Sequence, residues 1–289
     1  MGASRLTLLF DSPLLRITDI DCSHPRGGCG CERGDERTHL VLLRRGGFGY
    51  HLRGAEYVGD PATALLYRAG DSYRISHPFE GGDAGSCFEV APAHEEALFG
   101  RRLRGSVDAA RPVEAPDQYR HRVLHAALAH GERDSLRVEE AAAALCTAVL
   151  RHEEAASIAP LSAATRQRLG RVHEVLLADP TAALGLAELA THAGCSPFHL
   201  SRLFRRACGS SLVAYRTRLR IALALDRLAH GADNLAALAS ELGFSHQSHF
   251  GVTFRRHVGL TPRAARDTLR PSTLIRTGKN LIAARRSAP

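Results

Sequence analysis

Two stretches of the chain decide its fold: LAELATHAGCSPFHLSRLFRRACG at 186–209 and LAALASELGFSHQSHFGVTFRRHVG at 235–259. The second stretch repeats the first, with one residue inserted after the turn. The aligned pairs include Leu189 with Leu238, Gly194 with Gly243, Leu200 with Phe250, Phe204 with Phe254 and Gly209 with Gly259. Self-similarity of this kind indicates a repeated supersecondary unit.

Each copy has the pattern of a helix-turn-helix, with a short apolar helix, a turn that contains glycine, and a longer helix with a basic end. Gly194 and Gly243 lie where the chain must turn through a conformation that glycine tolerates. Ser196 and Ser245 follow them, and we expect these serines to cap the second helix of each copy.

The second helix of the first copy separates apolar from polar residues. Its pattern predicts an inward face of Leu200, Leu203 and Phe204, and an outward face of Phe198, Ser201, Arg202 and Arg205. An exposed polar and basic face on such a helix suits the reading of a DNA major groove.

A helix is predicted between the copies, over 211–231. It has an apolar side that includes Tyr215 and Leu219, and a basic side of Arg216, Arg218 and Arg220. Such a helix would hold the two motifs rigidly, so that both enter successive major grooves on one face of a duplex.

Charge divides the chain into two unequal halves. Residues 161–289 carry 19 Arg and Lys against 7 Asp and Glu, whereas residues 1–160 carry 19 against 23. A basic half joined to a mildly acidic one indicates that the basic half meets a polyanion. This balance favours DNA binding over a protein-binding pair of helical hairpins, and the separate acidic half argues against a DNA-compaction protein.

The composition, 44% hydrophobic and 24% charged, is that of a globular protein, and its length suits two domains. The sequence has no apolar run long enough for a membrane span and no clear signal peptide, so we expect a cytoplasmic protein without a membrane partner. No nucleophile–base set, phosphate loop or paired carboxylate stands out, and we expect no enzyme activity.

Residues 166–268 resemble the DNA-binding domain of AraC/XylS-type transcription regulators. The resemblance is carried by GCSPFHLSRLFRR, Tyr215, RIALAL, LASELGFSHQSHFGVTFRRHVGLTP and Arg266. Two positions depart from the family pattern: Leu212 stands where proline is usual, and Ala265 where an aromatic residue is usual. The resemblance implies a transcription regulator, which we expect to act as an activator. It also implies operator or promoter DNA and RNA polymerase as partners.

The resemblance also implies which residues meet DNA. The positions that match the family's base-reading residues are Phe198, Ser201 and Arg202 in the first motif, and Gln247, Ser248, Gly251 and Val252 in the second. Arg202 suits guanine and Gln247 suits adenine. The residues expected to contact phosphates are Arg205, Arg206, His249, Arg255 and Arg256.

Residues 1–92 read as short strands broken by Gly, Pro and Asp, which indicates a small antiparallel barrel or sandwich, followed by helices to about residue 155. We expect GGDAGS at 81–86 to be a loop before a short strand over 87–91. The region resembles the cupin-like sensory domain of the same family. It lacks the His-x-His pair of metal-dependent cupin enzymes.

The predicted fold class is therefore α+β, with a small cupin-like β-barrel and helices before an all-α tandem helix-turn-helix domain. The predicted units are a sensory or dimerisation domain over 1–155, a linker over 156–165, a DNA-binding domain over 166–270, and a basic disordered tail over 271–289. An Ala-rich helix within 134–155, which carries Leu136 and Leu145, packs either on its own domain or across a homodimer.

A cysteine cluster lies in the N-terminal half, where Cys22, Cys29 and Cys31 fall in a Gly-rich segment and Cys87 follows later. His24 lies in the same segment. Three interpretations stay open: a zinc site of the three nearby cysteines with Cys87 or a histidine as the fourth ligand, a thiol redox or electrophile sensor, and incidental cysteines. The effector is accordingly an unidentified small molecule, metal or redox signal. An alternative function is a regulator in which Cys22, Cys29 or Cys31 accepts a methyl group from alkylated DNA.

Overall fold

The computed structural model describes residues 4–99, 109–151 and 162–270, without the side chains of residues 28–32. The predicted tail, 271–289, and most of the predicted linker lie outside these ranges. Within them, the N-terminal part is built of antiparallel strands and the C-terminal part of helices, as the sequence predicts.

Ten strands within the described residues form two antiparallel sheets. The six-stranded sheet has the order β1 (Ser4–Asp11), β2 (Leu15–Cys22), β9 (Asp83–Val90), β4 (His39–Arg45), β7 (Thr63–Tyr67) and β10 (Ala110–Pro112). The four-stranded sheet has the order β3 (Gly27–Gly34), β8 (Ser72–His77), β5 (Phe48–Leu52) and β6 (Ala55–Gly59).

The apolar run of β4 is buried on both faces. Leu40 and Leu42 pack into a cluster with the helices behind the sheet, whereas Val41 and Leu43 pack with tyrosines between the two sheets. Because side chains alternate along a strand, this continuous run supplies both cores at once.

The strand predicted over 87–91 begins earlier, at Asp83, so the expected loop over 81–86 is wrong for 83–86. These residues pair with both β2 and β4. A side chain at Gly85 would meet Leu42 O at 2.5 Å, so the small residues that look like a loop allow close strand packing.

Three helices follow in the N-terminal part: α1 (Glu95–Phe99), α2 (Ala115–Ala129) and α3 (Ser135–Arg151). The face predicted for α3 is confirmed at Leu145 but wrong at Leu136, which is 74% exposed. Leu136 and Leu145 are nine residues apart, which is about two and a half helical turns, so they lie on opposite faces of α3. Val138 takes the buried position in the first turn.

Between residues 162 and 270 the chain forms seven helices: α4 (Ala163–Ala178), α5 (Leu186–Ala193), α6 (Pro197–Cys208), α7 (Leu212–Ala229), α8 (Leu235–Glu241), α9 (Gln247–Val258) and α10 (Pro262–Leu269). Helix α4 begins inside the predicted linker, because Ser162 caps it by accepting a hydrogen bond from Thr165 N. No helix in the described ranges is long and apolar enough to cross a membrane.

The two parts share a hydrophobic core. Tyr119 and Val123 of α2 pack in one cluster with Leu225 of α7 and Phe250 of α9. A helix that the sequence assigns to the sensory domain therefore supports the second helix-turn-helix directly.

Candidate nucleic-acid interface

The first helix-turn-helix is formed by α5 and α6. Gly194 ends α5 in the left-handed conformation, at φ 63°, which confirms the predicted glycine turn. Ser196 Oγ accepts a hydrogen bond from His199 N, and Pro197 occupies the first turn of α6.

Helix α6 buries one face and presents the other to solvent. Leu200 and Phe204 are fully buried against α5 and α7, and Leu203 is partly buried. All the residues predicted on the outer face are exposed: Phe198, Ser201, Arg202 and Arg205. Arg206, a predicted phosphate contact, is exposed as well. Phe198 is 81% exposed, which is unusual for an aromatic side chain and leaves its ring available to a partner.

The second helix-turn-helix is formed by α8 and α9, with Gly243 at φ 72° in the turn. The predicted cap at Ser245 is wrong: His246 is the N-cap of α9, without a side-chain cap bond. In α6 a proline fixes the first helical residue directly after its serine, whereas α9 has no proline there and begins one residue later.

The outer face of α9 carries the remaining candidates. Gln247, Ser248, His249 and Val252 are exposed, and Gly251 is half-buried, while Phe250 and Phe254 fill the core. The His249 ring packs edge-on against Phe244 at 5.5 Å, which orients it on this face.

The exposed arginines of α6 and α9 have no protein partner within the described ranges. Arg202, Arg205, Arg206, Arg255 and Arg256 form no hydrogen bond or ion pair there. An unpaired exposed guanidinium is free to bind phosphate or the edge of a guanine.

The arginines of α7 behave differently, which corrects the predicted basic side of that helix. Arg218 is buried and pairs with Glu114 at 2.7 Å. Arg216 donates to Leu184 O at 2.6 Å, and Arg220 donates to Pro180 O at 2.8 Å. These side chains hold α7 against its neighbours, whereas the arginines of α6 and α9 are available to a partner.

Helix α7 is also fixed to the β-barrel by buried polar contacts that the sequence did not reveal. Tyr215 OH donates to Asp60 Oδ2, and burial raises the pKa of Asp60 to about 6. Arg122 of α2 donates to Asp226 Oδ1 at 2.6 Å. Each contact joins residues more than 100 positions apart, so local sequence patterns carry no signal for it.

A cavity of about 630 Å³ lies between the two sheets. Its lining combines aromatic residues, including Tyr67 and Tyr73, with charged residues, including Arg33, Asp35 and Glu89. A concave site that combines aromatic and charged side chains suits a small molecule with polar groups.

The cavity also contains two of the four predicted cysteine ligands. Cys22 and Cys87 are both buried, but Cys87 pairs with Thr18, four residues before Cys22 on β2. Four residues of strand span about 13 Å, so the structure does not bring these two thiols together. The side chains of Cys29 and Cys31 lie outside the description.

Comparison with known proteins places the similarity in the C-terminal helices. Residues 189–268 match the family model of a helix-turn-helix domain. Regulatory protein PocR of Salmonella typhimurium is 35% identical over 86 residues, which cover 30% of this chain and 28% of PocR. A putative AraC-like transcription regulator of Streptomyces antibioticus is 36% identical over 84 residues, which cover 29% of this chain and 28% of the regulator.

Among solved structures, ToxT from Vibrio cholerae aligns over 88% of this chain and 98% of its own, with 10% identity and a TM-score of 0.36. The matches to PocR and to the Streptomyces antibioticus regulator each cover 28% of the length of that protein.

Proposed function

We propose that this chain, whose C-terminal helices form a helix-turn-helix domain of the AraC type, is a sequence-specific DNA-binding transcription regulator. In this proposal α6 and α9 read DNA, and the N-terminal barrel receives a small-molecule, metal or redox signal. RNA polymerase as a partner and a homodimer as the assembly belong to the proposal on the family resemblance alone.

The distribution of arginine partners carries the proposal. Arginines on α7 are paired with carbonyls or carboxylates, whereas those on the outer faces of α6 and α9 have no partner in the described ranges. The unpaired guanidinium groups lie on equivalent faces of both repeats, which supports contact with the phosphates of one duplex.

Specificity is assigned to the residues at the N-terminal ends and outer faces of the two recognition helices. In α6 these are Phe198, Ser201 and Arg202, and in α9 they are Gln247, Ser248, Gly251 and Val252. Arg202 pairs with guanine in this proposal, and the exposed methyl groups of Val252 suit a thymine methyl. Arg205, Arg206, His249, Arg255 and Arg256 bind phosphates and position the helices.

Signal transfer is assigned to the contacts between barrel and helices. The cavity lies on one side of the six-stranded sheet, and α2 packs on the other side. Because α2 also packs against α7 and α9, a shift of this sheet would reach the second helix-turn-helix without crossing a flexible linker.

The test begins with selection of a preferred site from a random DNA library by the full chain. Affinities for that site and for unrelated DNA are then compared for the wild type and Arg202→Ala. We expect the variant to lose about 1–3 kcal/mol of binding to the selected site, a factor of about 5 to 150, with little change on unrelated DNA.

Arg5→Ala is the matched control, because Arg5 is exposed on β1, away from both recognition helices. It should leave both affinities unchanged. An equal loss on the selected site and on unrelated DNA would make Arg202 a phosphate contact, and failure to select any preferred site would contradict the proposed function.

A further inference from the structure

Three strand ends bring a thiol, an imidazole and a carboxylate together between the sheets. Cys22 is the last residue of β2, His77 the last of β8, and Asp83 the first of β9. Cys22 and Asp83 are directly paired across the two strands, and His77 comes from the opposite sheet. The three residues line one part of the 630 Å³ cavity.

The spacing of these groups is that of ligands around one metal ion. Cys22 Sγ lies 3.8 Å from His77 Nε2, and one donor atom from each residue lies within 4.8 Å of the others. Two tetrahedral zinc ligands at ordinary Zn–S and Zn–N lengths are about 3.6 Å apart. A side-chain movement of roughly 1 Å by Asp83 completes the set.

Burial makes this carboxylate unusual. Asp83 is 2% exposed, and its Oδ2 atom accepts no hydrogen bond within the described ranges. A buried carboxylate oxygen without a hydrogen bond is costly unless a positive charge compensates it. The Asp83 oxygen therefore calls for a positive charge, which a metal ion held by His77 and Asp83 would supply in place of a protonated His77 at 3.4 Å.

We propose that Cys22, His77 and Asp83 bind a zinc ion at the wall of the cavity. A thiolate, an imidazole and a carboxylate form a donor set that suits Zn²⁺, and three protein ligands leave a fourth position for water or a small molecule from the cavity. This proposal rests on the proposed function and identifies the signal that the barrel receives as a metal ion. Its tests use no DNA, so its failure and the failure of DNA binding are separate results.

The same three residue types also form Cys-His-Asp triads, in which the histidine is the base for a nucleophilic thiol and the carboxylate orients the histidine. In such a triad the carboxylate hydrogen-bonds to the imidazole and orients it. Here Asp83 Oδ2 lies 3.4 Å from His77 Nδ1 without forming a hydrogen bond. The geometry therefore favours metal binding, and a reactive thiol becomes an outcome of the test.

The experiment titrates the untagged, chelator-treated full chain with Co²⁺, which replaces Zn²⁺ and reports thiolate coordination by a charge-transfer absorption band. We expect one Co²⁺ per chain with this band and its displacement by Zn²⁺. Cys22→Ser should lose the band, and Asp83→Asn should weaken Co²⁺ binding by at least about tenfold. Cys87→Ser is the matched control, because it removes another buried thiol of the same cavity and should keep the band.

A measurement on the unmodified chain guards against variants that fail to fold. Alkylation of each cysteine is followed by peptide mass spectrometry with and without one equivalent of Zn²⁺. We expect Zn²⁺ to protect Cys22 and to leave the more exposed Cys195 unaffected. The proposal is overturned if the folded wild type shows no thiolate band or if the band survives in Cys22→Ser. It is also overturned if Cys22 is alkylated fast and Zn²⁺ does not slow the reaction, a result that would identify a reactive thiol.

Discussion

Arg122 joins the β-barrel part to the DNA-binding helices, and its replacement by methionine tests that junction. The guanidinium of Arg122 donates to Asp226 Oδ1 at 2.6 Å, to Arg44 O at 2.5 Å and to Ala222 O at 3.3 Å. One side chain on α2 thus connects strand β4 with helix α7. Its side chain is only 6% exposed, so water does not replace these bonds in the folded protein.

Arg122→Met fills a similar volume but leaves one carboxylate and two carbonyls without this donor. Breaking a buried ion pair by removing one partner costs about 3–5 kcal/mol. Because the Asp226 side chain keeps 16% of its surface exposed, we expect a loss near the lower end, about 3 kcal/mol.

Urea unfolding followed by far-UV circular dichroism measures this loss, because the chain has no tryptophan for fluorescence. The set comprises Arg122→Met, Asp226→Asn and the double variant. We expect a coupling energy of about 2 kcal/mol between the two positions. Arg227→Met is the matched control on the same helix, since its pair with Glu241 is about half exposed and should contribute less than about 1 kcal/mol.

The shared core predicts that both parts unfold in one transition. Two separate transitions, or a change below about 1 kcal/mol for Arg122→Met, would refute the docked arrangement. Additive effects of Arg122→Met and Asp226→Asn would show that their pairing does not stabilise the folded chain.

Two further predictions concern a buried acid and a turn. Burial raises the pKa of Asp60 from 3.8 to about 6, so this group's contribution to stability is full below pH 3.8 and is lost as the pH rises through 6. The unfolding free energy of Asp60→Asn should therefore rise relative to wild type by about 1 kcal/mol between pH 5 and pH 7, and a constant difference would contradict this. Gly243→Ala should destabilise the chain by at least about 1 kcal/mol, because φ is 72° and the new Cβ would lie 3.0 Å from Thr181 O. Gly170→Ala, in open space on α4, should instead stabilise it by about 0.5–1 kcal/mol; equal melting shifts for both would contradict the turn argument.

Local patterns made the helix-turn-helix repeat predictable from the sequence. The glycine turns, the Ser196 cap and the two faces of α6 depend on residues within one or two helical turns of each other, and the structure confirms them. The predicted Ser245 cap is wrong because the second copy carries an inserted residue and does not follow the first copy there. Helix α9 also lacks the proline that begins α6.

Long-range contacts were not predictable in the same way. The sequence pattern predicts Arg218 on an exposed basic face of α7. It is buried instead, because it pairs with Glu114, 104 residues earlier. The cluster of Cys22, His77 and Asp83 likewise depends on the pairing of three strands. The sequence drew attention to Cys22 through its neighbours Cys29 and Cys31, whereas the structure places His77 and Asp83 beside it.

The central claim, that both recognition helices read DNA, is tested most directly by hydroxyl-radical footprinting of the full chain on its selected site. We expect protection on one face of the duplex at two adjacent major grooves, about 34 Å apart. Val252→Glu, at an exposed position of α9, should remove protection from one groove and leave the other. Protection of a single groove in the wild type would contradict the claim and leave α6 or α9 without a role in reading DNA.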